Sequence, residues 1–134
     1  MDQSLTVIPE FEIQCQLSEW LTLQHPRVIF RMDLSGVRLP IGLAVKIKRL
    51  NPYRGFPDIQ VFEPRGKYHG LCIELKRTRD DLYTKQGKYR QTRHIREQVE
   101  MLRTLRQKGY SADFAVGFSG AQQLINNYLD RRNT

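Results

Sequence analysis

Cysteine is scarce in this chain: Cys15 and Cys72 are the only two in 134 residues, far apart and outside any Cys-x-x-Cys spacing. That argues against a disulfide framework and a structural zinc site. Histidine is almost as rare, and His25, His69 and His94 stand singly, which disfavours a zinc enzyme. Nine glycines and six prolines are too few for a collagenous or low-complexity chain. No uninterrupted apolar run approaches the roughly 20 residues of a spanning helix, so no membrane segment is expected. The opening MDQSLTVIPE puts an acid at position 2 and lacks a basic stretch followed by an apolar one; no signal peptide is expected, and a cytoplasmic location is. Acidic charge is the remaining deficit. Fourteen Asp and Glu stand against 22 Lys and Arg, a formal net charge of +8, and such an imbalance points to a polyanionic partner, here nucleic acid.

What remains is an ordinary globular composition, 40% hydrophobic and 27% charged. The length suits one domain, residues 1–134. After Pro9, Phe11, Ile13, Leu17, Trp20 and Leu21 recur at near-helical spacing until Pro26, which predicts a helix over 9–24. VIFRMDL (28–34) reads as a strand ending at Ser35-Gly36. The stretch 37–54 holds either a short helix around 41–49 or a long basic connection. Asp58–Phe62 and Leu71–Lys76 alternate in apolar character around the turn residues Pro64, Gly66 and Gly70, an antiparallel hairpin. Residues 77–91 are charged, with little apolar content, and read as a mobile loop or surface excursion. A helix over 92–108 carries Ile95, Val99 and Leu102 on one face and stops at Gly109. SADFAVGF (111–118) predicts a fourth strand, and Ser119 with Gln122 a capping box that opens a last helix through Arg131. Strands interleaved with helices imply an α/β domain, a sheet with helices on its faces.

Chemistry concentrates between Gly55 and Lys76. Alternation on a strand sends Glu74 and Lys76 to one face and Ile73 and Leu75 to the other, toward the core. Asp58, at the start of the partner strand, then lies alongside Glu74. Two carboxylates on neighbouring strands form a hard-oxygen site of the kind Mg²⁺ accepts together with waters and phosphate oxygens. A lysine beside them can orient or deprotonate an attacking water, or stabilise charge on a phosphorane. Glu-x-Lys alone is a common surface pattern that pairs charges across a sheet; Gly55 and Pro57-Asp58 ahead of it make the catalytic reading specific.

These residues carry a resemblance. Glu12 and Gln16 on the first helix, Gly55 with Pro57-Asp58, the Glu74-Leu75-Lys76 triplet, and Gln98 followed by Gly109-Tyr110 are similar in order and spacing to the VRR-NUC branch of the PD-(D/E)xK, or restriction-endonuclease-like, nucleases. The similarity spans about residues 10–118. It implies a mixed sheet flanked by helices, with an αβββαβ core. It also implies a Mg²⁺ or Mn²⁺ site of Asp58, Glu74 and the Leu75 carbonyl, with Lys76 beside the nucleophilic water and Glu12 and Gln98 in support. Standalone members suggest a homodimer acting on branched DNA, in the manner of Holliday junction resolvases. Because the stretch 37–54 carries Val37, Leu39, Ile41, Leu43, Val45 and Ile47, more apolar residues than a plain surface loop, part of it is expected between subunits or folded back over the sheet.

Other readings stand beside these. Glu12 and Gln98 can equally be solvated helix positions. Cys72 shares the face of Glu74 but reads as a small apolar filler, and Trp20 and the phenylalanines read as core. Lys46, Lys48, Arg49 and Arg54, and then Lys85, Lys88, Arg90, Arg93 and Arg96, flank the site on both sides in sequence and are the expected DNA contacts. Tyr83 and Tyr89 are available to stack on bases. The rival functions are a non-catalytic DNA-binding protein, in which the carboxylates are structural, and a sequence-specific restriction endonuclease, for which 134 residues leave little room for a recognition module.

Overall fold

The computed structural model describes residues 7–34 and 38–132. Along them run α1 (Glu10–Gln24), β1 (Phe30–Met32), α2 (Ile41–Leu50), β2 (Ile59–Val61), β3 (Leu71–Lys76), α3 (Arg79–Leu82), α4 (Arg93–Gln107), β4 (Ser111–Val116) and α5 (Gly117–Leu129). The first six residues, the Ser35-Gly36 turn expected to end the first strand, and Val37 lie outside the described residues. No helix among the described residues is long and apolar enough to cross a membrane.

The strands form one mixed sheet in the order β1-β2-β3-β4. β2 pairs antiparallel with β1 on one side and with β3 on the other, with Ile59 opposite Ile73, and α2 lies in the connection from β1 to β2. β4 lies parallel to β3, from Leu71 opposite Ser111 to Lys76 opposite Val116. A parallel pair needs a long crossover, and α4 supplies it. Helices cover both faces of β3, so its residues from Leu71 to Leu75 are all buried. One face of the sheet presents Ile59, Val61, Leu71, Ile73 and Leu75 to Ile13, Leu17 and Leu21 of α1 and Ala121, Ile125 and Tyr128 of α5. The other gathers Cys72, Ala112 and Phe114 with Leu82, Ile95 and Leu102. Cys72 is thus an apolar filler, as expected.

Several expectations are corrected. The 77–91 segment is anchored: Thr78 Oγ1 accepts the Asp81 amide to cap α3, and Leu82 is fully buried. A capping pattern of Thr78 with an acid three residues on was the signal for it. The ambiguity at 37–54 resolves as α2, yet none of its residues is buried. α5 begins three residues earlier than a Ser119 cap requires, because Gly117 at φ 70° turns the chain straight from β4 into the helix, and it ends at Leu129 rather than Arg131. Phe118 therefore belongs to the helix. Phe11, Phe56 and Phe62 are exposed rather than core, whereas Phe114 is buried and the half-buried Trp20 packs edge-on against Phe118.

Candidate active site

Backbone geometry delivers Asp58 to the site. Gly55, at φ 68°, lies so close to α4 that a Cβ there would meet the Glu97 carbonyl carbon at 2.7 Å and the Gln98 nitrogen at 2.8 Å. Only glycine tolerates both demands. The loop thus pinned enters β2 at Ile59, leaving Asp58 just before the strand and 1% exposed. Its Oδ2 accepts the Leu75 amide at 2.8 Å, and its own carbonyl accepts the Asp33 amide at 2.7 Å. Glu74 comes from the middle of β3, on the face under α4, and is 4% exposed. Strand alternation carries Lys76 out on the same side.

Gln98, 2% exposed on the inner side of α4, joins these groups. Lys76 Nζ donates to Gln98 Oε1 at 2.7 Å, and the Gln98 amide nitrogen donates to Glu74 Oε1. The same nitrogen lies 3.0 Å from His94 Nε2, one turn earlier on α4. The other Glu74 oxygen, Oε2, is buried and has no hydrogen-bond donor among the described residues. The Glu74 carboxyl faces that of Asp58. Burial, and then the Asp58 carboxylate, push the Glu74 carboxyl up to about 10 against the pull of Lys76.

Where the sequence pointed to Glu12, the structure brings Glu10. Glu12 is exposed and does not line the cleft at the site. Glu10 faces Asp58, and burial followed by the charge of Asp58 raises its carboxyl to about 7. The register explains the miss. Ile13, Gln14, Leu17 and Leu21 are the buried face of α1, and Glu10 stands three and four residues before the first two, whereas Glu12 lies on the far side. The expectation of Glu12 rests on the resemblance, not on the buried face of this helix. Gln14 has another task, donating from Nε2 to the Asp33 carbonyl at 3.0 Å.

Asp58, Glu74, Lys76 and Gln98 are therefore brought together, with the Leu75 backbone between Glu74 and Lys76. They form one side of a cleft of about 760 Å³, which also admits Lys48, Arg77 and His94 to its lining. His94 was missed because a lone histidine carries no spacing signal. Among the expected DNA-contacting cations, Lys46, Lys48 and Arg49 are exposed on α2, and Arg54 on the loop after it. Lys85, Lys88, Arg90, Arg93 and Arg96 are exposed on the α3–α4 side, where Arg93 pairs with Glu97 at 3.0 Å and Arg90 donates to the Asp80 carbonyl. Tyr83 and Tyr89 stack on each other, 5.5 Å between centroids, and Tyr89 leans on Phe114; their faces are engaged within the protein.

No group of three or more His, Cys, Asp and Glu side chains is arranged to hold a metal ion by itself among the described residues. Mg²⁺ does not require one, since it commonly takes one or two carboxylates and completes its shell with water and substrate phosphate. The donor set fits that habit: two buried carboxyls face each other, and Glu74 Oε2 has no donor among the described residues.

Comparison with protein-family models and with curated proteins gives no match. Among solved structures the chain is similar to one described as a VRR_NUC domain protein, with 24% sequence identity and a TM-score of 0.66 over 96% of this chain and 94% of that one. At this identity the likeness speaks for architecture, and the architecture is plain: the chain has the mixed α/β, restriction-endonuclease-like fold of a VRR_NUC domain protein.

Proposed function

We propose that this protein is a divalent-metal-dependent nuclease that hydrolyses DNA phosphodiester bonds. The supporting observation is Glu74 Oε2, buried against the Asp58 carboxyl with no donor among the described residues. A pair of facing carboxyls needs either a proton or a cation between them, and a cation suits the polyanionic partner that the +8 charge calls for. Asp58, Glu74 and the Leu75 carbonyl would hold Mg²⁺ or Mn²⁺. When bound, the ion would neutralise charge on the scissile phosphate and acidify a coordinated water.

The chain's own residues do the rest. Lys76 holds its ammonium beside the carboxylates on a stem steadied by Gln98, placed to stabilise charge that develops on the phosphoryl oxygens. Gln98 keeps the Glu74 carboxylate oriented through Oε1, leaving Oε2 for the ion. Glu10 adds a third carboxyl, raised to about 7 by burial and then by the nearby Asp58. Lys46, Lys48, Arg49, Arg54, Lys85, Lys88, Arg90 and Arg93 supply the sequence-independent attraction for phosphates.

Branched or otherwise structured DNA is the preferred substrate in this reading, and a homodimer the working form. Exposed apolar side chains on α2 support the second point: Ile41 is 84% exposed, and Leu43 and Val45 are exposed as well. A two-fold dimer repeats one site on each subunit and matches the symmetry of a four-way junction. A cleavage panel of duplex, single-stranded, flap and four-way-junction DNA, with Mg²⁺ or Mn²⁺ and with chelator, tests the whole reading. Metal-dependent cleavage abolished by Asp58→Ala supports it; DNA binding with no cleavage under any condition leaves a non-catalytic DNA-binding protein.

A further inference from the structure

The cleft has walls of two unlike kinds. Glu10, Asp58, Glu74, Lys76, Gln98 and His94 make the polar part of its lining; α2 and the loop after it contribute Ala44, Ile47, Leu50, Pro52, Tyr53 and Phe56. Two of these are largely exposed, Leu50 at 78% and Tyr53 at 70%. Lys48 lines the cleft on the same helix, and Arg54 follows Tyr53 at the rim, exposed.

A duplex has no use for such a wall. What it offers a protein outside its grooves is sugar and phosphate, which cations and N–H donors satisfy, and an apolar surface against phosphate only strips its water. The complement of an apolar, aromatic face is the face of a nucleobase, and a base shows its face only when it is unpaired or turned out of the stack. The volume, about 760 Å³, falls within the roughly 300–1,000 Å³ of sites that enclose a small organic molecule, so one nucleotide has room beside the scissile phosphate.

Resting on the nuclease reading for the role of the polar wall, we infer that the cleft receives an unpaired nucleotide, its base against Tyr53, Phe56 and Ile47 and its phosphate toward Lys76. Lys48 and Arg54 guide the flanking backbone by charge. The enzyme thus selects DNA with unpaired nucleotides at the cut, such as a flap, a frayed end or the crossover of a branch, over uninterrupted duplex.

The test separates base binding from cleavage. A duplex oligonucleotide carrying 2-aminopurine at one unpaired position, and its fully paired counterpart, are titrated with the full chain in Ca²⁺ and followed by fluorescence and anisotropy. The expected result is preferential binding of the unpaired probe. Tyr53→Ala, an exposed substitution that leaves the core intact, should cut that preference about tenfold, within the range that loss of one base–aromatic stack gives, and Tyr53→Phe should restore it. Equal affinity of the wild-type protein for the two probes, or an unaltered preference in Tyr53→Ala, overturns the inference. So does a change in sedimentation of Tyr53→Ala without a change in preference, which would make the wall a subunit contact. Cleavage is scored separately: metal-dependent cutting without preference sinks the nucleotide cleft alone, whereas preference without cutting sinks the nuclease and keeps the cleft.

Discussion

The Lys76 ammonium donates to Gln98 Oε1 at 2.7 Å, and since an ammonium can only donate, this contact decides which end of the Gln98 amide faces Glu74. The amide nitrogen must then turn to Glu74 Oε1 and His94 Nε2. Both of its hydrogens are committed, and His94 Nε2 accepts.

Gln98 should therefore matter more through its polarity than its bulk. Gln98→Leu fills similar volume but deprives Lys76 and Glu74 of a partner each, and a hydrogen bond to a charged group contributes roughly 1.5–3 kcal/mol. We expect kcat to fall about 10- to 100-fold with little change in KM. An unchanged kcat in a folded variant would reduce Gln98 to packing.

Lys76→Ala should abolish cleavage and leave metal binding largely intact, because an ammonium is not a ligand. Calorimetric titration with Mn²⁺ alongside a cleavage assay checks both halves. Full activity would mean that Lys76 is a surface charge.

The first helix offers a test of register. Glu10→Gln removes a carboxyl that faces Asp58 and should change both metal affinity and the pH dependence of cleavage. Glu12→Gln alters an exposed position and should leave stability within about 0.5 kcal/mol and activity at the wild-type level. The reverse pattern would restore Glu12 as the supporting acid.

Metal and pH should act on stability together. Glu10 and Glu74 are raised from 4.5 to about 7 and about 10, in each case first by burial and then by Asp58. A carboxyl with a raised folded pKa binds more protons folded than unfolded, so its stabilising contribution is complete below about 4.5 and fades as pH rises through the folded value. Metal-free protein should lose thermal stability from pH 5 through 7 and onward. Mg²⁺ should raise Tm, and by more at pH 8 than at pH 6, because it takes the place of the protons. Scanning calorimetry across that range reads both effects; a metal increment that shrinks with rising pH contradicts the shared carboxylate site.

Gly55→Ala should loosen the site from a distance. A side chain at φ 68° costs about 1–2 kcal/mol, and its Cβ would press on the α4 backbone at 2.7 Å. Urea denaturation should show at least that loss, with cleavage reduced further because the loop carrying Asp58 shifts.

The sequence by itself determined what is local. Alternation along β3 sorted Ile73 and Leu75 from Glu74 and Lys76, because a strand has only two faces, and glycine and proline punctuation set the hairpin that brings Asp58 alongside. The inner face of α4 was legible for the same reason: Ile95, Gln98 and Leu102 repeat at helical spacing and α4 packs along one side. Only the tertiary structure decided what depends on rotation and on partners. A helix turns about 100° per residue, so which of Glu10 and Glu12 comes to face Asp58 depends on how α1 is rotated against the sheet, and the structure brings Glu10 there. α2 has the apolar content of a core helix but buries none of its residues; that it lines the cleft with the carboxylates follows from where the rest of the fold places them, and no periodicity within residues 41–50 encodes that.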